Sequence, residues 1–287
     1  MTERYRRPAS ASSEIADRLN LHRAGRGWRG TCPACGYPES LALDERGGRP
    51  LVWCASCGDR EAMGRLLRAA GALPERRAEP PDRHAEAERI ARARALWDGA
   101  APISQNCPAG LYLGRRRIAH VLGSPALRWR RDCPHPAGTR RMALIAAITG
   151  PDGKLQAVQR IFIDRDGNKP PIEPVKATLG PMAGGAIRLQ TCSGELAVAE
   201  GLESAASAGA ILGLPAWAAI SAGNLARGMI LPAEIRSVTI AADHDDPGER
   251  AAREAAWRWQ AIGKVVKIAR PFRSGADFND LAREVVQ

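Results

Sequence analysis

The apolar positions of the C-terminal third fall into short continuous runs separated by longer amphipathic stretches. Residues 196–199, 216–220, 238–242 and 265–269 are dominated by Leu, Ile, Val, Ala and Trp and have the length of buried strands. Residues 202–212 have helical spacing, as does a long stretch running from Pro247 and Gly248 to about Ala261, and a last helix starts near Phe278. A short helix follows Ser221, Ala222, Gly223 and Asn224. Alternation of this kind predicts an α/β fold, a parallel sheet covered by helices, with ligands beyond the carboxyl ends of its strands.

Upstream the pattern changes. Residues 142–149 and 155–163 alternate in β fashion and are joined across Pro151, Asp152 and Gly153, a hairpin signal. Residues 127–131 form another short strand, and residues 164–168 a second turn. An α+β subdomain with a basic face is expected over residues 96–190, ahead of the α/β domain at 191–287. Residues 83–97 form a connector helix with Ile90, Ala93 and Trp97 on one face, after a Pro-rich, charged linker at 74–81; linker and helix together span 73–95 as a segment between domains. The first domain, residues 1–72, has helices at 15–21 and 61–70 and a hairpin made from 40–43 and 51–53.

Cysteine spacing explains how so small a first domain is held. Cys32 and Cys35 form one CxxC knuckle and Cys54 and Cys57 a second, the pattern of a four-cysteine zinc ribbon. Glycines follow both knuckles, where the turns are tight. Trp28, Arg29 and Trp53 could stack on bases or fill the ribbon's core. Cys107, Cys133 and Cys192 are isolated; His135 lies close to Cys133, but a lone thiol is the expectation there.

The net charge of +11, carried mostly by Arg, points to a polyanionic partner, although part of the Arg content reflects codon bias. Arg116, Arg117, Arg160 and Lys176 are the candidate phosphate contacts of the basic face, and Arg270 and Arg273 candidate triphosphate contacts. No apolar run approaches the ~20 residues of a membrane span, and the N-terminus has no secretory pattern. Cytoplasmic location and no membrane partner are therefore expected.

A basic chain of this kind nevertheless gathers acids at its predicted strand ends. Glu200 follows the first strand, Asp243 and Asp245 follow the third, and Asp277 comes soon after the fourth. Neighbouring carboxylates make an oxygen-rich pocket suited to magnesium or manganese and to phosphate chemistry. Ser221, Gly223 and Asn224 end another strand, where they either touch a nucleotide or form a simple turn.

The run from Ala199 through Glu200 and Gly201 to Ala205, the Asp243-His244-Asp245 triplet and Asp277 with Asn279 and Asp280 together resemble the Toprim domain of bacterial and phage primases, topoisomerases and some nucleases. The Glu200 segment is similar to the form found in primase-like proteins of phages and mobile elements, which also carry an N-terminal zinc-binding domain. The resemblance implies a replication enzyme, a primase-like nucleotidyltransferase that makes short primers on single-stranded DNA from NTPs. It implies metal ligation by Asp243, Asp245 and Asp277, with Glu200 a ligand or general base. Glu203 is expected to give support or a helix-start charge, and Asp246 the same or a helix cap. A Toprim-type nuclease and a non-catalytic DNA-binding replication accessory remain alternatives. Tyr5, Tyr37 and Tyr112 have no catalytic setting in the sequence, which argues against a topoisomerase. No GxxxxGK[ST] P-loop is present, so a replicative helicase, if needed, is expected as a separate partner.

Overall fold

The computed structural model describes residues 11–33, 36–46, 49–55, 63–64 and 83–284. Cys35, Cys57, nearly all of the expected 61–70 helix and the 74–81 linker lie outside the described residues. The chain divides into two compact units, Met1–Pro81 and Asp82–Gln287.

In the first unit, helix α1 (Ala11–Arg18) precedes four strands, β1 (His22–Ala24), β2 (Gly27–Gly30), β3 (Leu41–Arg46) and β4 (Arg49–Cys54). They form one antiparallel sheet in the order β1-β2-β3-β4. The sequence pattern predicts the β3–β4 hairpin but no strand over 22–30; a two-residue turn starting at Gly25, φ 61°, closes a hairpin there. Ile15, Ala16, Leu21, Leu41, Leu43 and Met63 form the core, and Cys32 and Cys54 are buried in it.

The second unit opens with α2 (Arg83–Asp98), α3 (Pro108–Arg115) and a 3₁₀ turn at Ala119–Val121. Strands β5 (Leu127–Pro134), β6 (Arg140–Thr149), β7 (Leu155–Phe162) and β8 (Lys176–Leu179) form an antiparallel sheet in that order. Ala93 and Leu96 of α2 pack on one face with Ala143, Ile145, Val158 and Phe162. The other face presents Leu144, Ala146, Ile148 and Ile161. The middle of β6 is thus buried on both sides, which explains its continuous run from Ala143 to Ile148.

The remaining strands are β9 (Ile187–Arg188), β10 (Gly194–Ala199), β11 (Ala216–Ala218), β12 (Ile235–Ala241) and β13 (Val265–Ala269). They pair in the order β13-β12-β10-β11-β9, parallel except for β9. Helix α4 (Leu202–Leu212) covers one face and is buried along its first eight residues, because the antiparallel sheet packs on its far side. Helix α5 (Asp246–Gln260) and a π turn at Asn224–Gly228 cover the opposite face around Trp217, Leu225, Met229, Val238, Ile240 and Trp259. Helix α6 (Phe278–Glu284) buries Phe278 in the core shared with α4. Among the described residues no helix is long and apolar enough to cross a membrane.

Helix α3 is not evident from hydrophobic spacing. Its start is set by Cys107, whose sulfur accepts from the Gly110 amide at 3.4 Å, followed by Pro108 in the first turn. A tight turn at Gly167, φ 76°, fits against this helix; a Cβ there would lie 2.5 Å from the Tyr112 amide nitrogen.

Candidate active site

Strand order locates the crevice. The chain leaves β10 through α4 towards β11 on one side, and leaves β12 through α5 towards β13 on the other. The strand ends of β10 and β12 therefore diverge, the place where open α/β sheets bind ligands. Glu200 follows β10 and Asp243 closely follows β12, so both stand at this point. Asp277 arrives from beyond β13. The His244 amide donates to the Ala276 carbonyl at 3.0 Å, and the Gly275 amide donates to the His244 carbonyl at 2.7 Å. These two bonds fasten the loop before α6 beside Asp243.

The acids act on one another's charge. Burial pushes Asp243 up to about 7, with further upward pushes from Asp277, Glu200, Asp245 and Asp280. Burial also raises Glu200; Asp245 adds to this, while the Ala222 amide and Lys176 pull the other way. Asp243 Oδ1 is buried and has no hydrogen-bond partner. Among the described residues, no three His, Cys, Asp or Glu side chains are gathered as a ready metal cage. The chemistry of the donors nonetheless fits a hard divalent cation: carboxylate oxygens only, one of them buried and unpartnered.

Two of these acids also hold helix ends. Asp245 Oδ1 accepts from the Gly248 amide at 2.7 Å and caps α5; Asp246 is the first residue of that helix, so the cap falls one position earlier than the 246 site the sequence offers. Asp277 and Asp280 form a reciprocal box: Asp277 Oδ1 accepts from the Asp280 amide at 2.8 Å, and Asp280 Oδ2 from the Asp277 amide at 3.3 Å. Capping and charge are separable at Asp245. Asp245→Asn should leave unfolding stability nearly unchanged, because Asn caps equally well, whereas Asp245→Ala should lose about 1 kcal/mol. Chemical denaturation of the two variants checks this.

Glu203 has a larger part than its place in the sequence suggests. It is 5% exposed, and its carboxylate accepts a hydrogen bond from the Tyr112 hydroxyl of α3. Lys176 Nζ lies 2.8 Å away and Lys169 Nζ 3.6 Å. Burial alone would raise the carboxyl, but Lys176, Lys169 and Tyr112 more than offset it and hold it at about 2. Burial and the Glu203 charge push the Tyr112 phenol far above its ordinary range. The cluster ties α4 to both α3 and β8, and it holds Lys176 where that residue acts on Glu200. The Glu-x-x-Glu spacing of Glu200 and Glu203 is the one signal in the sequence that could have drawn attention to it.

A basic wall adjoins the acids. A cavity of about 690 Å³ is lined by Arg115, Arg116, Arg117, Lys169 and Arg283, together with Tyr112. A second, of about 410 Å³, continues past Arg115, Arg117 and Arg283 to Arg273 and Asp280. The Arg116 carbonyl accepts from Asn279 Nδ2 at 2.7 Å, which fixes this wall to α6. Arg117 adopts φ 58°, a left-handed position uncommon for a bulky residue.

Two of the sequence-derived phosphate and nucleotide contacts are elsewhere. Arg160 is buried: its Nη1 donates to the Pro134 carbonyl at 2.8 Å, and it lies over the Phe162 ring. It alternates with Val158 and Phe162 and so faces the α2 side of the sheet, away from the crevice. Asn224 is also buried, with Nδ2 donating to the carbonyls of Gly185 and Ala219 at 2.9 and 2.8 Å. It is a clamp within the fold, the turn reading of that segment. Arg270 donates to Glu249 at 2.7 Å, and Arg273 to Glu284 at 2.7 Å.

No curated protein sequence matches the chain. A domain of unknown function (DUF7146) matches residues 87–189, and the Toprim domain matches residues 195–286. Among solved structures, the chain is similar to the Aquifex aeolicus primase, zinc-binding and RNA polymerase domains, at 16% identity and TM-score 0.40, covering 97% of this chain and 81% of that one. It is similar to the primase fragment of the bacteriophage T7 primase-helicase protein at 15% identity and TM-score 0.44, covering 90% and 95%. The RNA polymerase domain of the Mycobacterium tuberculosis primase DnaG is matched at 16% identity and TM-score 0.41, covering 69% and 79%. Likenesses at this level transfer no residue roles. The sequence match to the Toprim domain falls on the same parallel sheet whose strand ends carry the acids, and residues 195–286 are accordingly a Toprim domain.

Proposed function

We propose that the chain is a primase-like nucleotidyltransferase, forming phosphodiester bonds between nucleotides on a single-stranded DNA template. The observation that carries this reading is the placement of Glu200 and Asp243 at the diverging strand ends of a Toprim domain, with the loop that carries Asp277 bonded beside Asp243 and an arginine-lined cavity reaching Asp280. Glu200, Asp243, Asp245 and Asp277 would hold magnesium or manganese. When bound, such ions lower the pKa of an attacking 3′-hydroxyl and screen the departing pyrophosphate.

The chain's own groups divide the remaining work. Arg115, Arg116 and Arg117 offer guanidinium forks to phosphates. Lys176, pinned by Glu203, puts a cation beside Glu200. Burial and the neighbouring carboxylates raise Asp243, an unfavourable charge that a bound cation would offset. The test is incubation with single-stranded DNA, labelled NTPs and magnesium or manganese. New labelled oligonucleotides that vanish in Asp243→Ala support the proposal. Shortened DNA without new polymer would assign the site to a nuclease, and DNA binding unaltered by that substitution would assign it to an accessory role.

The first unit is proposed to be a zinc ribbon. Cys32 and Cys54 lie in one small core, and β3–β4 pairing sets Leu41 opposite Cys54. Cys35 and Cys57, the other half of the donor set, fall outside the described residues. Metal analysis of the purified chain should find about one zinc per molecule, with loss of that zinc in Cys54→Ser.

A further inference from the structure

Strand β13 ends the five-stranded sheet, and among the described residues no strand lies beyond it. Its outer edge therefore presents backbone N–H and C=O groups without a ladder partner. Large apolar side chains stand exposed along it: Val265 at 60%, Ile268 at 46%, Ile262 at 63% in the preceding turn, and Trp257 at 73% on α5. Glu249, Arg253 and Trp257 recur at every fourth position of α5 and so share one ridge. Ile268 shares a cavity of about 190 Å³ with Glu249 and Arg253, so this ridge runs beside the edge.

The two faces of β13 differ. Val266 packs on the α5 side, and Ile268 points the same way. Val265 and Lys267 pair with Ser237 and Thr239 of β12 and occupy the other face, where Lys267 is exposed. A visitor extending the sheet would meet Ile268 and the α5 ridge that ends in Trp257 with one set of side chains, and Lys267 with the alternate set.

We propose that the outer edge of β13 and the adjoining Trp257 ridge form a docking strip for an extended segment of a partner protein that alternates apolar and acidic residues. Strand addition satisfies the open backbone groups, which a nucleic acid cannot do as a continuous ladder. A second copy fits poorly. Symmetric antiparallel pairing of Val265–Ala269 sets Lys267 opposite Lys267, and like charges in that relation destabilise a pair. A lysine alone would be an ordinary guard against edge pairing; the exposed Trp257, Ile262 and Val265 beside it are what a guarded edge lacks.

The test uses the whole chain and fluorescent, end-blocked peptides. One alternates Val and Glu; a control has the same composition in two blocks. Tighter binding of the alternating peptide is expected, weakened about tenfold by Lys267→Glu. Trp257→Ala should also weaken it, and a Val–Lys alternating peptide should recover binding to Lys267→Glu. Thermal unfolding confirms that both variants are folded. Equal binding of the two peptides, or affinity unmoved by either substitution, overturns the proposal. So does a sedimentation dimer abolished by Trp257→Ala, which would give the strip to a second copy. Loss of oligo-dT binding in Lys267→Glu, with no peptide bound, would give it to nucleic acid and overturn it equally.

Discussion

Glu203→Gln is expected to lower the unfolding free energy of the second unit by about 1–3 kcal/mol, less than for a fully buried ion pair because the two lysines left behind are each about a third exposed. The substitution keeps the shape of the side chain and removes its charge. Lys176 at 2.8 Å and Lys169 at 3.6 Å would then lose their buried counter-ion. Burial already draws Lys169 below the usual lysine value, and Glu203 is the main influence opposing that. The Tyr112 hydroxyl would keep a hydrogen-bond acceptor but lose a charged one. The same cluster predicts a pH dependence. The folded Glu203 carboxyl, at about 2, is depressed from 4.5, so its contribution is complete above about 4.5 and is lost as pH falls from there towards 2. The wild type should lose stability over that window and Glu203→Gln should lose less, so the two denaturation curves should converge in acid. A variant as stable as wild type at pH 7 would remove Glu203 from its structural role.

The strand ends were legible in the sequence for a physical reason. A parallel strand buried on both faces is a short apolar run, and Glu200 and Asp243 each follow such a run directly. Asp277 was legible by composition, but what brings it to Asp243 is the backbone bonding of His244 with Gly275 and Ala276, which no side-chain pattern encodes. The basic wall was half legible. Arg116 and Arg117 stand in a run of arginines after α3 and do line the cavity, whereas Arg160 has the same chemistry but sits in a strand covered on both faces. Which face a lone arginine takes depends on the helix that covers the sheet, and the apolar stripe of α2 does not say in the sequence what it covers. Glu203 is the clearest case. Its meaning depends on Tyr112, Lys169 and Lys176, which lie 91, 34 and 27 positions away, and only the packing of α4 between two sheets brings them together.

Asp243→Asn is expected to stabilise the fold while removing its chemistry. The folded Asp243 carboxyl is raised to about 7 from 3.8, so folding takes up a proton between these values. Its effect on stability is therefore unfavourable: nil below about 4, growing as pH rises through 7, and constant above. Asn cannot ionise, and the variant should exceed wild type by about 1–2 kcal/mol at pH 8 once solvent screening of this partly exposed site is allowed for. The gap should close by pH 4. Divalent cations act in the opposite sense. Manganese binding to the wild type should raise its melting temperature, more at pH 8 than at pH 6 because the proton on Asp243 competes with the ion. The Asn variant should show little of that rise, and nucleotide joining should fall by at least about a hundredfold. Melting curves with and without manganese at the two pH values read the charge cluster independently of any polymerase assay. A variant that is less stable than wild type at pH 8, and still responds to manganese, would mean that Asp243 faces something other than its fellow carboxylates. Repulsion retained at a cost in stability marks a site kept for its ligand rather than for the fold.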